Sequence, residues 1–146
     1  MKAKNSGFTL VEILIVVVIL GILAAIVIPQ FTEASTEAKT SSLCTDLQTM
    51  RSQIELYKIQ HNDILPGAGT ASFTAALTGM TDVAGAVALA AGPGVYGPYI
   101  QKIPTNQFTD SAVITDDGGV TVDGGWDYVE GTGAFHADDT ADHFAL

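Results

Sequence analysis

An uninterrupted apolar segment near the N-terminus constrains this chain more than any other feature of its sequence. Sixteen consecutive residues, Ile13–Ile28, carry no polar side chain. With its flanks, the segment from Phe8 to Phe31 would reach about 36 Å as a helix at about 1.5 Å per residue, enough to cross a bilayer. One acidic residue, Glu12, stands at the head of the run. The sequence therefore predicts a membrane helix with a carboxylate near one end.

Two lysines, Lys2 and Lys4, precede the apolar segment. They would keep the N-terminus in the cytoplasm and send the C-terminus outward. A secretory signal peptide also joins positive charge to an apolar run, but it needs a small-residue cleavage site after the run. Because residues 27–30 (VIPQ) are a poor site of that kind, the sequence favours a retained anchor.

Glu12 has two explanations. A charged side chain deep in a bilayer costs about 2.5–3.5 kcal/mol on insertion scales, although near the interface Glu12 could simply reach the headgroups. Alternatively, a cut between Gly7 and Phe8 would create an α-ammonium group four residues before Glu12. Two unit charges about 4 Å apart attract by about 4 kcal/mol at an effective dielectric of about 20. Pairing with the ammonium of a neighbouring subunit would fix the axial offset between adjacent helices.

Gly7, Phe8, the following Thr-Leu-Val, Glu12 and the apolar run resemble the class III signal peptide of the prepilins. Type IV pilins and type II secretion pseudopilins share that leader. The resemblance implies that a prepilin peptidase cuts between Gly7 and Phe8 and methylates the new N-terminal Phe8, and that Glu12 serves processing or assembly. It divides the chain into a leader (1–7), a transmembrane and assembly helix (8–31) and an exported globular domain (32–146).

Gly21 and Pro29 are weak helix formers within the apolar helix, and both have counterparts in that family. Proline removes a backbone donor, and glycine weakens a helix entropically. One explanation is that the two residues are merely tolerated and have no function, since membrane helices often carry both. We favour a segment that can unwind locally when the helix packs against other subunits.

Beyond Phe31 the sequence predicts an α+β domain of the pilin type. An apolar stripe at helical spacing extends the first helix to about Gln60; its members are Leu43, Leu47, Met50, Ile54 and Tyr57. A short helix follows around residues 73–80, with Thr70 or Ser72 as cap and Gly79 as stop. Residues 81–99 read as a loop. A coiled coil could use the stripe, but the pattern covers too few heptads.

Four short segments near the C-terminus read as strands separated by glycine-containing turns: SAVIT (111–115), GVTVD (119–123), WDYVE (126–130) and AFHAD (134–138). They predict a small antiparallel sheet of three or four strands. Trp126 and Tyr128 lie on one face of it, where we expect them to pack on the apolar stripe of the long helix.

The order of elements, with GPYIQKIPTNQF (97–108) before the terminal sheet, is also similar to the major pseudopilin of type II secretion. That family usually carries a Lys-Asp-Pro-Trp-Gly-Asn-like stretch, from which residues 102–108 here depart. Many adhesive pilins close their C-terminal region with a disulfide. Since Cys44 is the single cysteine, it cannot do so here, and we predict a small buried residue on a helix.

Composition excludes other classes of function. The net charge is −10, and no lysine or arginine follows Thr105, so a nucleic-acid-binding face is not expected. No phosphate loop, nucleophile elbow or zinc motif is present, and the histidines (His61, His136, His143) lack metal spacing with one another. We therefore expect no enzymatic activity.

Acidic residues crowd the terminal loops and make calcium the one candidate cofactor. The candidate ligands are Asp116, Asp117 and Asp123, or alternatively Asp138, Asp139 and Asp142; Asp127 lies close to the first group. Resemblance to the major pseudopilins, which hold calcium in this region, implies such a site. The alternative is a solvated acidic face that keeps an exported protein soluble.

The prediction is a pseudopilin: a structural subunit that assembles from the bacterial inner membrane into a short filament driving protein export. The resemblance implies a homo-oligomeric filament, and its partners are the prepilin peptidase, an assembly platform, minor pseudopilins and membrane lipid. The domain after the anchor would be periplasmic or extracellular. Alternatives are a type IV pilin for adhesion, motility or DNA uptake, and a monomeric single-pass protein with an acidic, ligand- or calcium-binding exterior.

Overall fold

The chain divides into two compact units, Met1–Ala38 and Lys39–Leu146. A computed structural model describes residues 7–115, 118 and 124–146.

The first helix, α1, extends over Leu10–Gln60, as the sequence predicts, and contributes to both units. In the first unit its apolar side chains, from Leu10 to Phe31, are 40–81% exposed. Of the described helices it alone is long and apolar enough to cross a membrane. An apolar surface of this kind needs lipid or other protein around it.

In the second unit, α1 presents the predicted apolar stripe to the core. All five of its side chains are buried: Leu43, Leu47, Met50, Ile54 and Tyr57. Cys44, next to the stripe, is only half-buried, so the expectation of full burial is wrong. A cysteine one position from Leu43 points about 100° away from the stripe, at the edge of the buried face.

The short second helix, α2, covers Phe73–Thr78 and is capped as predicted. The Ser72 hydroxyl accepts a hydrogen bond from the Ala75 N–H at 3.3 Å, which satisfies one of the free donors of the first turn. Gly79 follows the helix, and its N–H donates to the Ala75 carbonyl. Ala76 and Leu77 bury the inner face of α2.

Residues 81–96, expected to be a loop, contain a two-stranded antiparallel ladder. β1, Thr81–Asp82, pairs with β2, Val95–Tyr96, and Thr81 stands opposite Tyr96. The expectation of a plain loop is therefore wrong. Strands of two residues leave no alternating pattern that a sequence could reveal.

The second sheet has the order β3–β4–β5, with β3 at Ile114–Thr115, β4 at Trp126–Val129 and β5 at Ala134–Ala137. β4 and β5 form the predicted antiparallel hairpin. β3, however, runs parallel to β4, so the prediction of an all-antiparallel sheet is wrong for this strand. Ten residues, 116–125, separate β3 from β4; a parallel pair needs a connection of about this length, whereas a tight turn joins only antiparallel strands. The predicted strand at 119–123 lies outside the described residues.

The core forms where the sheet meets the stripe of α1, and it contains the predicted aromatic residues. Trp126 is fully buried, Tyr128 and Phe135 are nearly so, and the rings of Trp126 and Phe135 lie 5.3 Å apart. Arg51 joins α1 to the sheet, because its Nε and Nη2 donate to the Phe135 carbonyl at 3.0 and 2.8 Å. A final four-residue helix, α3, at Ala141–Phe144, was not predicted.

Candidate functional site

The described residues that precede α1, 7–9, are open to solvent and outside the helix. Gly7, Phe8 and Thr9 have no helical backbone, and Phe8 is 77% exposed. A Cβ placed on Gly7 would meet no atom within 4 Å. Exposed segments with few contacts are the preferred sites of proteolysis. The peptide bond between Gly7 and Phe8 is thus in an accessible position.

Thr9 and Glu12 cap the helix reciprocally. The Glu12 N–H donates to the Thr9 hydroxyl at 3.3 Å, and the Thr9 N–H donates to Oε2 of Glu12 at 3.4 Å. This arrangement is a capping box, in which two otherwise unsatisfied backbone donors at a helix start gain side-chain acceptors. Glu12 therefore has a role within its own chain that the sequence analysis did not assign. The spacing Thr-x-x-Glu before an apolar run was the signal that could have revealed it.

The capping box fixes where the Glu12 carboxylate lies. Oε2 faces the Thr9 backbone, while Oε1 makes no hydrogen bond within the described residues. The positive end of the helix macrodipole also favours a negative charge in this first turn. The site can therefore hold an ionised carboxylate in a fixed position with one oxygen available to an outside donor.

Thr9→Val tests the capping box. Valine keeps the shape of threonine but loses the acceptor, so we expect the first turn of α1 to lose about 1 kcal/mol and the Glu12 side chain to lose its fixed position. Amide hydrogen exchange of the full chain in detergent micelles would show faster exchange at residues 10–13. Thr9→Ser should exchange as the natural chain does; equal rates in the valine variant would contradict the capping role.

Gly21 and Pro29 lie within α1, which continues through both. A Cβ on Gly21 would meet no atom within 4 Å, so packing does not require glycine there in the isolated chain. Pro29 supplies no N–H to the helix, and one turn beyond, the Thr32 hydroxyl donates to the Ile28 carbonyl at 3.1 Å. Local unwinding at these positions in an assembly stays a prediction.

The candidate calcium ligands fall into two groups. Asp116, Asp117 and Asp123 lie outside the described residues. In the second group, Asp142 is exposed, whereas Asp138 and Asp139 are both buried and hydrogen-bonded. Asp138 accepts from the Thr115 hydroxyl at 3.3 Å, and Asp139 accepts from the Asn106 amide at 3.2 Å. Across the described ranges, no group of three or more His, Cys, Asp or Glu side chains could hold a metal ion.

The three histidines occupy separate places. His61 is fully buried; its Nε2 lies 2.9 Å from the Thr81 hydroxyl, and its ring stacks on Tyr57. Nδ1 of His143 lies 2.5 Å from Asp139, and Nδ1 of His136 lies 2.9 Å from the Phe144 carbonyl. Each ring nitrogen named here faces a partner within the second unit, an arrangement typical of histidines with a structural role.

Comparison with known proteins places the similarity in the N-terminal part of the chain. Residues 2–28 match the model of the prokaryotic N-terminal methylation motif. Type II secretion system core protein G of Pseudomonas aeruginosa is 42% identical over 60 residues, which are 41% of this chain and 42% of that protein. The protein of that name from Vibrio cholerae is 38% identical over 63 residues, 43% of this chain and 42% of its own.

A fimbrial protein is also similar to part of the chain. The type IV major fimbrial protein FimA of Dichelobacter nodosus is 46% identical over 55 residues, 38% of this chain and 35% of that protein. The matches thus span less than half the length of these curated relatives. No solved structure matches the chain. The predicted resemblance to the pilin and pseudopilin superfamily is confirmed, and it rests on the N-terminal segment that contains Gly7, Phe8 and Glu12.

Proposed function

We propose that this chain is a pseudopilin: a non-enzymatic subunit that assembles from the inner membrane into a filament of a type II secretion system. The observation that carries the proposal is the N-terminal methylation motif at residues 2–28, together with the exposure of the large apolar side chains of α1 from Leu10 to Phe31. A segment of this kind is soluble in lipid and equally able to pack against copies of itself. Relatives named for type II secretion support the choice of system.

Processing would come first. A prepilin peptidase would cut between Gly7 and Phe8, in the exposed stretch before α1, and methylate the new amino group of Phe8. Residues 1–7, with Lys2 and Lys4, would be lost, so the net charge would change from −10 to −12. The mature chain would stay in the inner membrane as a single-pass protein, with its second unit on the periplasmic side.

Assembly would draw the apolar half of α1 out of lipid. Because lipid tails are as apolar as leucine, helices in a bundle exchange one set of dispersion contacts for another, and bulk hydrophobicity opposes extraction only weakly. The assembly platform would supply the driving force, and minor pseudopilins would share the filament. An interface that repeats head to tail without closing produces a fibre and not a ring.

Register would come from Glu12. Its Oε2 is engaged by Thr9 of the same chain, which leaves Oε1 for the N-terminal ammonium of Phe8 on a neighbouring subunit. In a dry bundle that ion pair would be stronger than in water, and a subunit shifted by one turn would leave a buried charge unpaired. The pair thus favours one axial offset over all others.

Mass spectrometry of the chain purified from its own membranes tests the proposal. The expected N-terminus is Phe8 carrying one methyl group, produced only where a prepilin peptidase is present. An intact Met1 and an unmodified chain that stays monomeric in the membrane would instead support the single-pass anchor with an acidic, ligand-binding exterior.

A surface type IV pilus for adhesion, motility or DNA uptake is the second candidate, and the similarity to the fimbrial protein of Dichelobacter nodosus favours it. Both candidates use the same N-terminal chemistry, so the motif does not separate them. Deleting the gene separates them by phenotype: a pseudopilin mutant loses export of secreted proteins, whereas a pilus mutant loses surface fibres or twitching.

Calcium binding by the second unit is a further part of the proposal. The described residues supply no complete site, so ligands from Asp116, Asp117 and Asp123 would be needed. What supports the site is its surroundings: Asp127 and Asp138 are fully buried carboxylates, and the Gly118 N–H, within the connection between β3 and β4, donates to Oδ1 of Asp127 at 3.4 Å.

If calcium binds, millimolar calcium should raise the Tm of the full chain in detergent. A ligand at about 100 times its Kd adds about 2.7 kcal/mol to the free energy of unfolding. Circular dichroism melts in calcium, in magnesium and in a chelator would measure the shift. Identical melting temperatures in all three would contradict the calcium site.

A further inference from the structure

The middle of the second unit is almost free of charge. Residues 64–101 contain a single residue of the Asp, Glu, Lys and Arg types, Asp82, although the chain carries 16 acidic and 6 basic residues of these types in all. Asp82 itself is turned toward the backbone, since its Oδ1 accepts hydrogen bonds from the N–H groups of Ala84 and Ala86 at 3.0 and 2.9 Å. This stretch of the chain therefore carries far less charge than the rest of an acidic protein.

Within that region, residues 83–91 form an exposed apolar loop, which we call the neutral loop. Its sequence is VAGAVALAA, without one polar side chain. Val83 and Val87 are 40% and 53% exposed, and Leu89 is 98% exposed. Single exposed leucines are ordinary, whereas a contiguous apolar surface marks an interaction site.

The backbone of the neutral loop is held in a fixed form. Its Gly85 carbonyl accepts a hydrogen bond from the Ala71 N–H at 3.2 Å, and the Ala88 N–H donates to the Met80 carbonyl at 2.8 Å. A Cβ placed on Gly69 would lie 2.6 Å from the Gly85 oxygen, so the loop also packs closely on that segment. The apolar side chains are thus presented on an ordered backbone, which lowers the entropic cost of binding.

We infer that the neutral loop is a contact between copies of this chain in the filament, an inference that rests on the proposed function. Two processed copies, each of net charge −12, repel each other wherever their carboxylates face. The surface where such copies can meet without repulsion is one depleted of charge and lined with apolar groups. The neutral loop has both properties.

Other occupants fit less well. A partner of opposite charge would be drawn to the acidic surfaces, and it would gain nothing electrostatically from a charge-free loop. A membrane surface carrying anionic lipid attracts proteins through lysine and arginine, and residues 64–101 contain neither. A second copy is the occupant for which the lack of charge is an advantage.

Leu89→Asp tests the inference in the full chain, expressed with its assembly machinery. Because Leu89 is almost fully exposed, the variant should fold, insert and be processed as the natural chain is. We expect about tenfold fewer filaments, since a carboxylate placed within an apolar contact would be buried there without a partner. Leu89→Met should assemble normally. Gly131→Asp, at an exposed turn where a Cβ meets no atom within 4 Å, adds the same charge elsewhere and should also assemble normally.

A photo-reactive phenylalanine analogue in place of Leu89 identifies the occupant. Cross-linked products with the mass of two copies support the inference; exclusive cross-links to a different protein or to lipid overturn it, as do normal filament numbers from Leu89→Asp. The proposed function fails in a different way, because then the natural chain itself would form no filaments under the same conditions.

Discussion

Glu12→Ala should insert into the membrane normally and yet form almost no filaments. Removing a carboxylate from an apolar segment makes insertion easier. The N-terminal ammonium of each neighbour, however, would be left buried in the bundle without a partner, and breaking a buried ion pair by removing one member costs about 3–5 kcal/mol. Because that penalty recurs at every subunit added, filament growth should stop. Electron microscopy of sheared filaments and fractionation of membranes measure the two outcomes.

Two matched variants separate the charge of Glu12 from its capping role. Glu12→Gln keeps an oxygen acceptor for the Thr9 N–H but has no charge, and it should fail to assemble almost as completely as alanine. Thr9→Val keeps the charge but loses the cap, and it should reduce assembly only in part. Abundant filaments of normal length from Glu12→Gln would show that the carboxylate charge does not set the register.

Trp126→Ala should unfold or severely destabilise the second unit. The side chain is fully buried, packs on Phe135 with ring centroids 5.3 Å apart, and donates from Nε1 to the Pro104 carbonyl at 2.8 Å. Truncating a buried tryptophan to alanine costs about 3–5 kcal/mol, a large share of the roughly 5–15 kcal/mol that stabilises a typical protein. It also leaves a carbonyl without its donor.

Denaturant titration of the full chain in detergent, followed by near-ultraviolet circular dichroism, measures this loss. Trp126→Phe keeps most of the ring packing and should cost less than alanine. Ile59→Ala, on the same helix that packs under the sheet but 75% exposed, should change stability by less than about 0.5 kcal/mol. An alanine variant at Trp126 as stable as the natural chain would contradict the assignment of this core.

The elements with long periodic patterns or clear caps could be predicted from the sequence. The stripe from Leu43 to Tyr57 identified the buried face of α1, and Ser72 and Gly79 marked the ends of α2. The glycine-containing turn between Val129 and Ala134 identified the β4–β5 hairpin. Each of these depends on interactions between residues a few positions apart, which a sequence displays directly.

The features that the sequence did not reveal depend on distant parts of the chain or on very short segments. The sequence of a two-residue strand does not indicate whether the strand pairs in parallel or antiparallel, so the parallel pairing of β3 with β4 could not be predicted. Asp127 lies on the strand face opposite the aromatic residues, and its burial depends on distant parts of the chain that cover this face. The same limit applies to β1, β2 and α3, each of which has four residues or fewer.

The same contrast between local and long-range features applies to the N-terminal site. A short motif predicts Gly7, Phe8 and Glu12 as processing and assembly residues, because the residues of such a motif are close together in the sequence. The proposed partner of Glu12 belongs to another copy, which no property of a single chain can position. The role of Thr9 was missed, although its capping of Glu12 is local and could have been predicted from the Thr-x-x-Glu spacing alone.

The distance between the Glu12 carboxylate and the amino nitrogen of Phe8 on an adjacent subunit is the most direct test of this account. It can be measured in a density map of the assembled filament at side-chain resolution. We expect the two groups to lie within about 4 Å of each other, as an ion pair requires. Well-resolved groups that stand farther apart, each satisfied by a different partner, would contradict the pairing and with it the proposed origin of the register.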